Sequence, residues 1–295
     1  MRILITGAAG LIGSHLCDLL LEEGHHVYGL DNLSFGNIDN LKQSIDSDKF
    51  KFIKTDCTTD FWNLSKDCLC EVSCDCDLSG FDFVKKDNSR LIFTSTSDVY
   101  GRHETFSEDD EIKFDVPTVE RQTYSVTKLF EEQYLLNKFN ENELKVTIAR
   151  IFGCFSHRSN SIWSGGHIPM FLERAMNDEN IIIHGDGKQT RSMAHVDDIV
   201  KGLTLMMYKF GVCEGQIFNI GSEDEMSILN HAKEIIKVTK SKSKIDFMAE
   251  KKALGTYKEI RRRKPDLIKA KMMIGYKPKT RFKESLNRVI KEISK

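Results

Sequence analysis

The segment "GAAGLIG" constrains this chain more than any other feature, because it follows the short apolar run "RILIT" and opens a stretch with apolar residues at helical spacing. It places Gly7, Gly10 and Gly13 three residues apart. Without side chains at these positions, the backbone can turn sharply and approach a pyrophosphate at a helix N-terminus, where free N–H groups favour negative charge. The segment therefore predicts a strand, a tight turn and a helix that bind a dinucleotide. A structural turn without a ligand is the alternative.

The acidic residue that ends the next predicted strand narrows the choice of dinucleotide. Asp31 closes the segment "HHVYGLD" and lies 18 residues after Gly13, close to the spacing of a carboxylate that binds the adenosine ribose. A carboxylate at this position repels a 2'-phosphate. We therefore expect NAD as the cofactor in preference to NADP.

Strand and helix patterns alternate along the first half of the chain. Further strands are predicted at 49–56, 89–97 and 144–152, and helices at 124–140, 169–177 and 196–210. Such alternation indicates an α/β fold, a Rossmann-type doubly wound parallel sheet with helices on both faces. We expect the cofactor domain at 1–155, with segments returning from about 180–220, and a smaller substrate-binding lobe at 156–295.

Composition argues against several classes of protein. The 43 basic and 44 acidic residues leave a formal net charge of -1, which favours neither nucleic acid nor an anionic membrane surface as a partner. No apolar run approaches the roughly 18 residues of a membrane span, and the N-terminus lacks the apolar core of a signal peptide. We expect a cytoplasmic protein with reduced thiols and no bound metal.

Two further segments carry chemistry. "STSDVYG" ends the predicted strand 89–97, and "YSVTK" places Tyr124 and Lys128 four residues apart, hence on one face of a predicted helix. A tyrosine, with a pKa of about 10, is a poor base at neutral pH, and a nearby cation favours its phenolate. Beside a dinucleotide site and a hydroxyl-rich strand end, the pair predicts hydride-transfer catalysis. Two polar residues on a solvated helix face are the alternative.

These segments resemble a known family, the extended short-chain dehydrogenases that modify nucleotide sugars. The likeness runs almost end to end, because the matching segments fall in family order at nearly family spacing. They are "ITGAAGLIGSHL", "LDNLSFGN", "FIKTD", "FTSTSDVYG", "YSVTK", "IARIF", "IHGDGKQTRSMAHVDDIV", "FNIGS" and "RRKPD". In its motifs the chain is most similar to UDP-glucuronate decarboxylases and UDP-sugar 4-epimerases, and the resemblance implies NAD and a nucleotide sugar as ligands.

The resemblance also assigns roles to individual residues. Residues implied to bind NAD are Gly7, Gly10, Leu11, Ile12 and Gly13 at the pyrophosphate, Asp31, Asn32, Ser34 and Gly36 at the ribose and phosphate, and Asp56 at the adenine. Residues implied in catalysis are Thr96, Asp98, Tyr124 and Lys128. Arg191 and Arg263 match arginines that grip the nucleotide diphosphate, and guanidinium groups suit such a ligand. Surface arginines are the alternative. The family likeness further implies a homodimer that forms through the helix at 124–140 and the helix before it.

The implied reaction starts with oxidation of the sugar C4 hydroxyl, in which Tyr124 takes the proton, Thr96 hydrogen-bonds the same oxygen and NAD takes the hydride. The 4-keto group then permits inversion of a centre (epimerase), loss of CO2 from a C6 carboxylate (decarboxylase) or elimination of water across C5 and C6 (dehydratase). The triplet that ends in Asp98 is nearer to the Thr-Ser-Glu of family decarboxylases than to the Thr-Asp-Glu of dehydratases. An epimerase or a decarboxylase is therefore favoured over a dehydratase.

A cysteine-rich segment supports a competing hypothesis. Only 39 residues separate Asp56 from Thr96, fewer than the family has, and "DCLCEVSCDC" with Cys68, Cys70, Cys74 and Cys76 stands among them. This run is too compact to wrap a tetrahedral zinc ion. We expect one strand and much of a crossover helix to be shortened or recast around 57–90, so that a strand walling the nicotinamide side of the NAD site is missing. A non-catalytic nucleotide-binding or nucleotide-sugar-binding protein is the resulting alternative, and a sugar reductase is less favoured.

Overall fold

Strands alternate with helices in the computed structural model, which describes residues 1–56, 70–73, 89–102, 106–114, 122–160, 166–249 and 259–294. The strands are β1 Arg2–Thr6, β2 His26–Asp31, β3 Phe50–Lys54, β4 Cys70–Ser73, β5 Arg90–Thr96, β6 Lys145–Ile151, β7 Cys154–Phe155, β8 Ile181–His184, β9 Thr190–Ser192, β10 Ala194–His195, β11 Ile217–Ile220, β12 Glu225–Ser227, β13 Ile245–Met248 and β14 Arg262–Arg263. The α-helices are α1 Leu11–Glu22, α2 Lys42–Ile45, α3 Thr123–Asn140, α4 His167–Met176, α5 Val196–Tyr208, α6 Phe210–Cys213, α7 Ile228–Thr239, α8 Ile268–Ile274 and α9 Phe282–Ile293.

The central element is a seven-stranded parallel sheet in the order β11-β6-β5-β4-β1-β2-β3. Parallel neighbours need crossover connections, which cover the faces of the sheet and bury the strands. The apolar run of β1 accordingly has its last four residues buried. The predicted α/β fold with a Rossmann-type parallel sheet is confirmed.

The predicted loss of a strand is wrong, because the cysteine-rich segment itself supplies that strand. Residues Cys70–Ser73 form β4, which pairs in parallel with β1 on one side and with β5 on the other. A strand is held by backbone hydrogen bonds, so an unusual sequence can occupy a central position in a sheet. The strand is short, as expected, with four residues. The predictions for Cys68, Cys74 and Cys76 lie outside the described residues.

Helix α1 packs on the sheet through one face. Its buried residues include Gly13, Leu16, Cys17 and Leu20, at helical spacing. They join an apolar cluster that also contains residues of α5, such as Ile199. The helix that follows the glycine turn is therefore fixed between β1, β2 and α5, and its N-terminus is held at the end of β1.

A second apolar cluster joins α4, α7 and α9. Its buried members include Ile168 and Phe171 of α4, Ile235 of α7, and Phe282 and Leu286 of α9. Beside this cluster lies a small sheet in the order β12-β9-β14. The arrangement brings β14, from late in the chain, next to β9 and so gathers residues that are far apart in sequence.

Close packing at Gly13 gives a test of the fold. A Cβ atom there would lie 2.2 Å from the carbonyl oxygen of Gly7 and 2.9 Å from Cα of Ala8, both backbone atoms that cannot move aside cheaply. We expect Gly13→Ala to lower the free energy of unfolding by about 3 kcal/mol, measured by urea denaturation. Gly211→Ala is the control, because a Cβ at Gly211 meets nothing within 4 Å. Equal stability of the two variants would contradict the close approach.

Candidate active site

The turn after β1 is built where side chains do not fit. Gly7 has a left-handed φ of 65°, and the N–H of Gly10 donates to the Gly7 carbonyl oxygen at 3.0 Å. Helix α1 begins directly after Gly10, so the N–H groups of its first residues, Leu11 and Ile12, have no acceptor within the helix. Gly13 packs closely against this turn and so holds the helix N-terminus beside it, where these amides form a cradle that suits a pyrophosphate.

The loop after β2 is organised around the carboxylate of Asp31. One oxygen of Asp31 accepts from the N–H of Ala9 at 2.9 Å and the other from the N–H of Leu33 at 2.7 Å. Gly36 closes over this carboxylate, since a Cβ on Gly36 would lie 2.8 Å from Asp31 Oδ2. The carboxylate is therefore held next to the glycine turn, where the ribose of a dinucleotide would lie.

The remaining predicted cofactor residues lie in the same loop, apart from Asp56, which follows β3 and contacts that loop. Asn32 donates from Nδ2 to Asp56 at 2.9 Å, and its Oδ1 accepts from the N–H of Ser34 at 2.9 Å. Asp56 follows β3, the neighbour of β2 in the sheet. All the predicted cofactor residues thus gather at the carboxyl ends of adjacent strands, which is where ligands bind in open α/β sheets.

The predicted catalytic residues lie on α3 and at the end of β5. Lys128 is buried and its Nζ lies 4.6 Å from the ring centre of Phe93, a residue of β5. Tyr124, one turn before it, is 43% exposed. Thr96 ends β5, and its Oγ1 accepts from the N–H of Asp98 at 3.2 Å. Packing of α3 on β5 therefore brings the tyrosine and lysine beside the strand that ends in Thr96.

Glu131 is a site residue that no family motif indicated. Its Oε2 lies 3.3 Å from Lys128 Nζ, and the two side chains are only 6% and 5% exposed. A buried lysine is stabilised in its charged form by such a neighbour. The sequence feature that could have indicated Glu131 is its position three residues after Lys128, which places both side chains on one helix face.

The two predicted diphosphate arginines lie side by side. Strand β14 pairs in parallel with β9, in a register that sets Arg263 opposite Arg191. Arg263 donates to the carboxylate of Asp98, so that the end of β5 is tied to β14. Arg191 pairs with Glu259 and donates to the backbone carbonyl of Ile260 at 2.9 Å. Each guanidinium group is thus paired with an acid, and the partner of Arg263, Asp98, lies two residues after Thr96.

A buried network under the site was also missed by motif analysis. Arg150 of β6 donates to Glu132 of α3 from Nε at 3.0 Å and from Nη2 at 2.7 Å, and its guanidinium lies 4.6 Å from the ring centre of Tyr100. The Tyr100 hydroxyl donates to Asn219 at 2.7 Å, and burial raises the pKa of Tyr100 to about 12. Asn219 in turn donates to the carbonyl of Phe106 at 2.9 Å. The network joins α3, β6, the end of β5 and β11.

Among the described residues, no group of three or more His, Cys, Asp or Glu side chains is placed to hold a metal ion. Likewise, no helix in the described ranges is long and apolar enough to cross a membrane.

Comparison with known proteins gives the family. The sequence matches the GDP-mannose 4,6 dehydratase family over residues 4–76 and 78–289. The chain belongs to this family of enzymes. Within it, UDP-N-acetyl-alpha-D-glucosaminuronate decarboxylase from Bacillus cytotoxicus is 33% identical over 98% of this chain and 96% of its own length. UDP-glucuronic acid decarboxylase 6 from Arabidopsis thaliana is 31% identical over 97% of this chain and 87% of its own length.

Solved structures of this family have the same fold. UDP-glucuronic acid 4-epimerase from Bacillus cereus, solved with UDP-glucuronic acid and NAD, superposes with a TM-score of 0.85 at 24% identity, covering 100% of this chain and 99% of that one. The resemblance to extended short-chain dehydrogenases of nucleotide-sugar metabolism is confirmed.

The buried Arg150–Glu132 pair gives a second test. Removing one partner of a buried ion pair leaves an uncompensated charge, so we expect Glu132→Leu to lower the free energy of unfolding by about 3–5 kcal/mol in urea denaturation. Adding Arg150→Met to that variant should restore much of the loss, because both charges are then gone.

Glu141→Gln, at the C-cap of the same helix, is the matched control. Glu141 is 54% exposed and pairs with Lys138 at the surface, so its loss should leave the unfolding midpoint nearly unchanged. A Glu132→Leu variant as stable as Glu141→Gln would show that the buried pair does not hold α3 to the sheet.

Proposed function

We propose that this protein is an NAD-dependent enzyme that acts on a UDP-sugar through a transient 4-keto intermediate and removes CO2 from a UDP-uronate. Its family membership and its decarboxylase relatives, similar over nearly the whole chain, support this class of reaction. The observation that carries the proposal is the register of β9 and β14, which sets Arg263 opposite Arg191 while Arg263 pairs with Asp98. The two arginines that we propose as diphosphate ligands are thereby brought towards the carboxylate of Asp98, which follows β5.

The turn and loop of the cofactor region fit NAD. A Cβ at Gly10 would lie 3.1 Å from the Gly7 carbonyl oxygen, so only bare backbone faces the pyrophosphate position. Asp31 and Asn32 hold carboxylate and amide oxygens where ribose hydroxyls can donate, and the charge of Asp31 disfavours a 2'-phosphate. NAD, when bound, accepts and returns a hydride. We assign its binding to the domain predicted at 1–155.

The two arginines fit a nucleotide diphosphate. The Nε atom of Arg263 is buried and has no hydrogen-bond partner within the described parts of the chain. Buried donors are rarely left unpaired, and a phosphate oxygen would satisfy this one. We assign the diphosphate to Arg191 and Arg263, both in the lobe predicted at 156–295.

The residues around Thr96 then perform the chemistry. Tyr124 takes the proton of the C4 hydroxyl, Thr96 hydrogen-bonds the same oxygen, and Lys128 supplies the positive charge that favours the phenolate. The 4-keto group makes the C6 carboxylate a β-keto acid: the C5–C6 bond breaks, its electron pair passes to the keto oxygen, and CO2 leaves. Asp98, released from Arg263 when the diphosphate binds, takes up a proton from water and passes it to C5. Tyr124 then gives its proton back to the C4 oxygen, and bound NAD would supply the hydride at C4, so that no cofactor would be consumed.

Product analysis tests this assignment. With UDP-glucuronate and catalytic NAD, we expect proton NMR to show a UDP-sugar that lacks the C6 carboxylate, with CO2 released and no net NADH. A product that keeps the carboxylate but has inverted C4 would make the enzyme an epimerase. Binding of NAD and UDP without turnover would favour the non-catalytic hypothesis.

Replacement of Tyr124 tests whether this residue is the catalytic base. Tyr124→Phe should lower kcat by about a thousandfold or more, because general base catalysis is lost, while UDP binding persists in calorimetry. Tyr208→Phe is the control, since Tyr208 is similarly exposed, at 50%, and hydrogen-bonds to Glu23 far from Thr96 in the sequence. Activity retained in Tyr124→Phe would remove the tyrosine from the mechanism.

We further propose that the protein forms a homodimer through α3. The outward face of this helix carries Val126 and Phe130, which are 49% and 56% exposed. Apolar side chains on the surface of a helix are typical of a contact with another chain. The family likeness predicts the same helix as the contact between subunits.

A substitution that places one charge in the proposed contact tests the homodimer. Phe130→Glu should convert the dimer to a monomer in light scattering coupled to gel filtration, because the carboxylate would be buried in the apolar contact. Phe247→Glu on β13 is the matched control, since Phe247 is also 56% exposed. A wild-type protein that elutes as a monomer, or a Phe130→Glu variant that stays dimeric, would contradict this contact.

A further inference from the structure

A pair of histidines lies near Arg191, outside every motif described above. His167 opens α4 and His231 lies in α7, and the two helices pack together. Nε2 of His167 lies 2.9 Å from Nδ1 of His231, which is a hydrogen bond. The His231 ring is 0% exposed and packs on Phe282 with ring centres 4.4 Å apart. His167 is partly exposed.

Both rings are neutral near pH 7. Burial, with the charge of Arg191 adding to it, lowers the pKa of His231 to about 3. Burial, then His231 and Arg191, hold the pKa of His167 well below its ordinary value. Each neutral ring carries one N–H, so two protons are distributed over four nitrogen atoms. The fold brings Arg191 to this region, because Met226 of β12 is paired with Arg191 of β9 and β12 leads directly into α7, which carries His231.

The buried end of the pair decides where the protons lie. Nε2 of His231 is buried and has no hydrogen-bond partner in the described ranges. If His167 donated to His231, the His231 proton would sit on this Nε2 as a buried N–H without an acceptor, which is the rarer and costlier case. His231 therefore donates from Nδ1 to Nε2 of His167. The proton of His167 is then on Nδ1, the nitrogen outside the pair.

We propose that His167 positions the nucleotide, donating from Nδ1 to an oxygen of the nucleoside diphosphate held by Arg191, and that His231 fixes His167 in the required tautomer. A neutral N–H donor beside a guanidinium adds a directed hydrogen bond to an anion without adding another charge. The inference rests on the proposed function, because it takes Arg191 as a ligand of the diphosphate. His231 acts only through His167 and is a positioning residue.

Three variants separate this role from a structural one. His167→Phe removes the donor. His231→Leu fills the buried position with an apolar side chain and removes the unpaired Nε2, but leaves His167 without a fixed tautomer. His231→Asn keeps a donor, because the asparagine amide nitrogen stands where Nδ1 stands in histidine. Calorimetric titration with UDP measures the nucleotide site, and titration with NAD serves as the control.

We expect His167→Phe and His231→Leu each to weaken UDP binding about tenfold, the effect of losing one hydrogen bond to a charged group. His231→Asn should bind UDP within about twofold of wild type, because this variant retains the hydrogen-bond donor to His167. NAD binding should not change in any of the three. His231→Leu should melt at or above the wild-type Tm, so its loss of affinity would not be a loss of folding.

Nitrogen-15 NMR of histidine-labelled protein gives a readout that packing alone would not move. The Nδ1 signal of His167 should be of the protonated type in the free protein and should shift when UDP is added. UDP binding by His167→Phe equal to wild type, or a His167 proton on Nε2, overturns the inference while leaving the proposed function intact. Failure of the wild-type protein to bind UDP overturns both.

Discussion

The buried guanidinium of Arg150 is the group on which the geometry of the site depends. A charge in the interior must be paired and hydrogen-bonded, because its desolvation is otherwise unfavourable by several kcal/mol. Burial alone disfavours the charge, but the hydrogen bonds that Arg150 donates to Glu132 and the negative charge of that carboxylate raise the pKa of Arg150 above its ordinary value. The pairing allows one position of α3 on β6. Since Tyr124 and Lys128 lie on α3, the same constraint sets their distance from Thr96.

The second half of the site is held by pairs of opposite charge at its rim. Arg263 pairs with Asp98, and Arg191 with Glu259. A diphosphate carries charge that competes with these acids for the same guanidinium groups, so binding exchanges one set of ion pairs for another. Such an exchange lowers the affinity that the arginines could give alone, yet it avoids leaving buried positive charges unpaired. A diphosphate bound to Arg263 in the proposed site would free the carboxylate of Asp98, two residues after Thr96.

Local features of the sequence predicted the cofactor half of the site, because its residues lie within single turns. The glycine turn and Asp31 act through backbone geometry and short spacing, and both are where the sequence indicates. Contacts between side chains that are far apart in the sequence could not be predicted from such local features. Glu132 and Arg150 are 18 residues apart, and His167 and His231 are 64 apart. Their side chains meet only after the sheet and the second apolar cluster have formed, so no motif reveals them.

The cysteine-rich segment shows how the sequence of a central strand can change while the strand keeps its place in the sheet. Strand β4 lies between β1 and β5, and its backbone pairs Cys70 with Ile3 and with Arg90. The glycine turn follows β1 and Thr96 ends β5, so β4 sets the spacing between cofactor and catalytic groups through its hydrogen-bonded backbone. Backbone pairing fixes that spacing at about 4.8 Å per strand whatever the side chains are. The sequence of this strand can therefore change widely, whereas its removal would bring β1 and β5 together and displace Thr96 relative to the pyrophosphate turn.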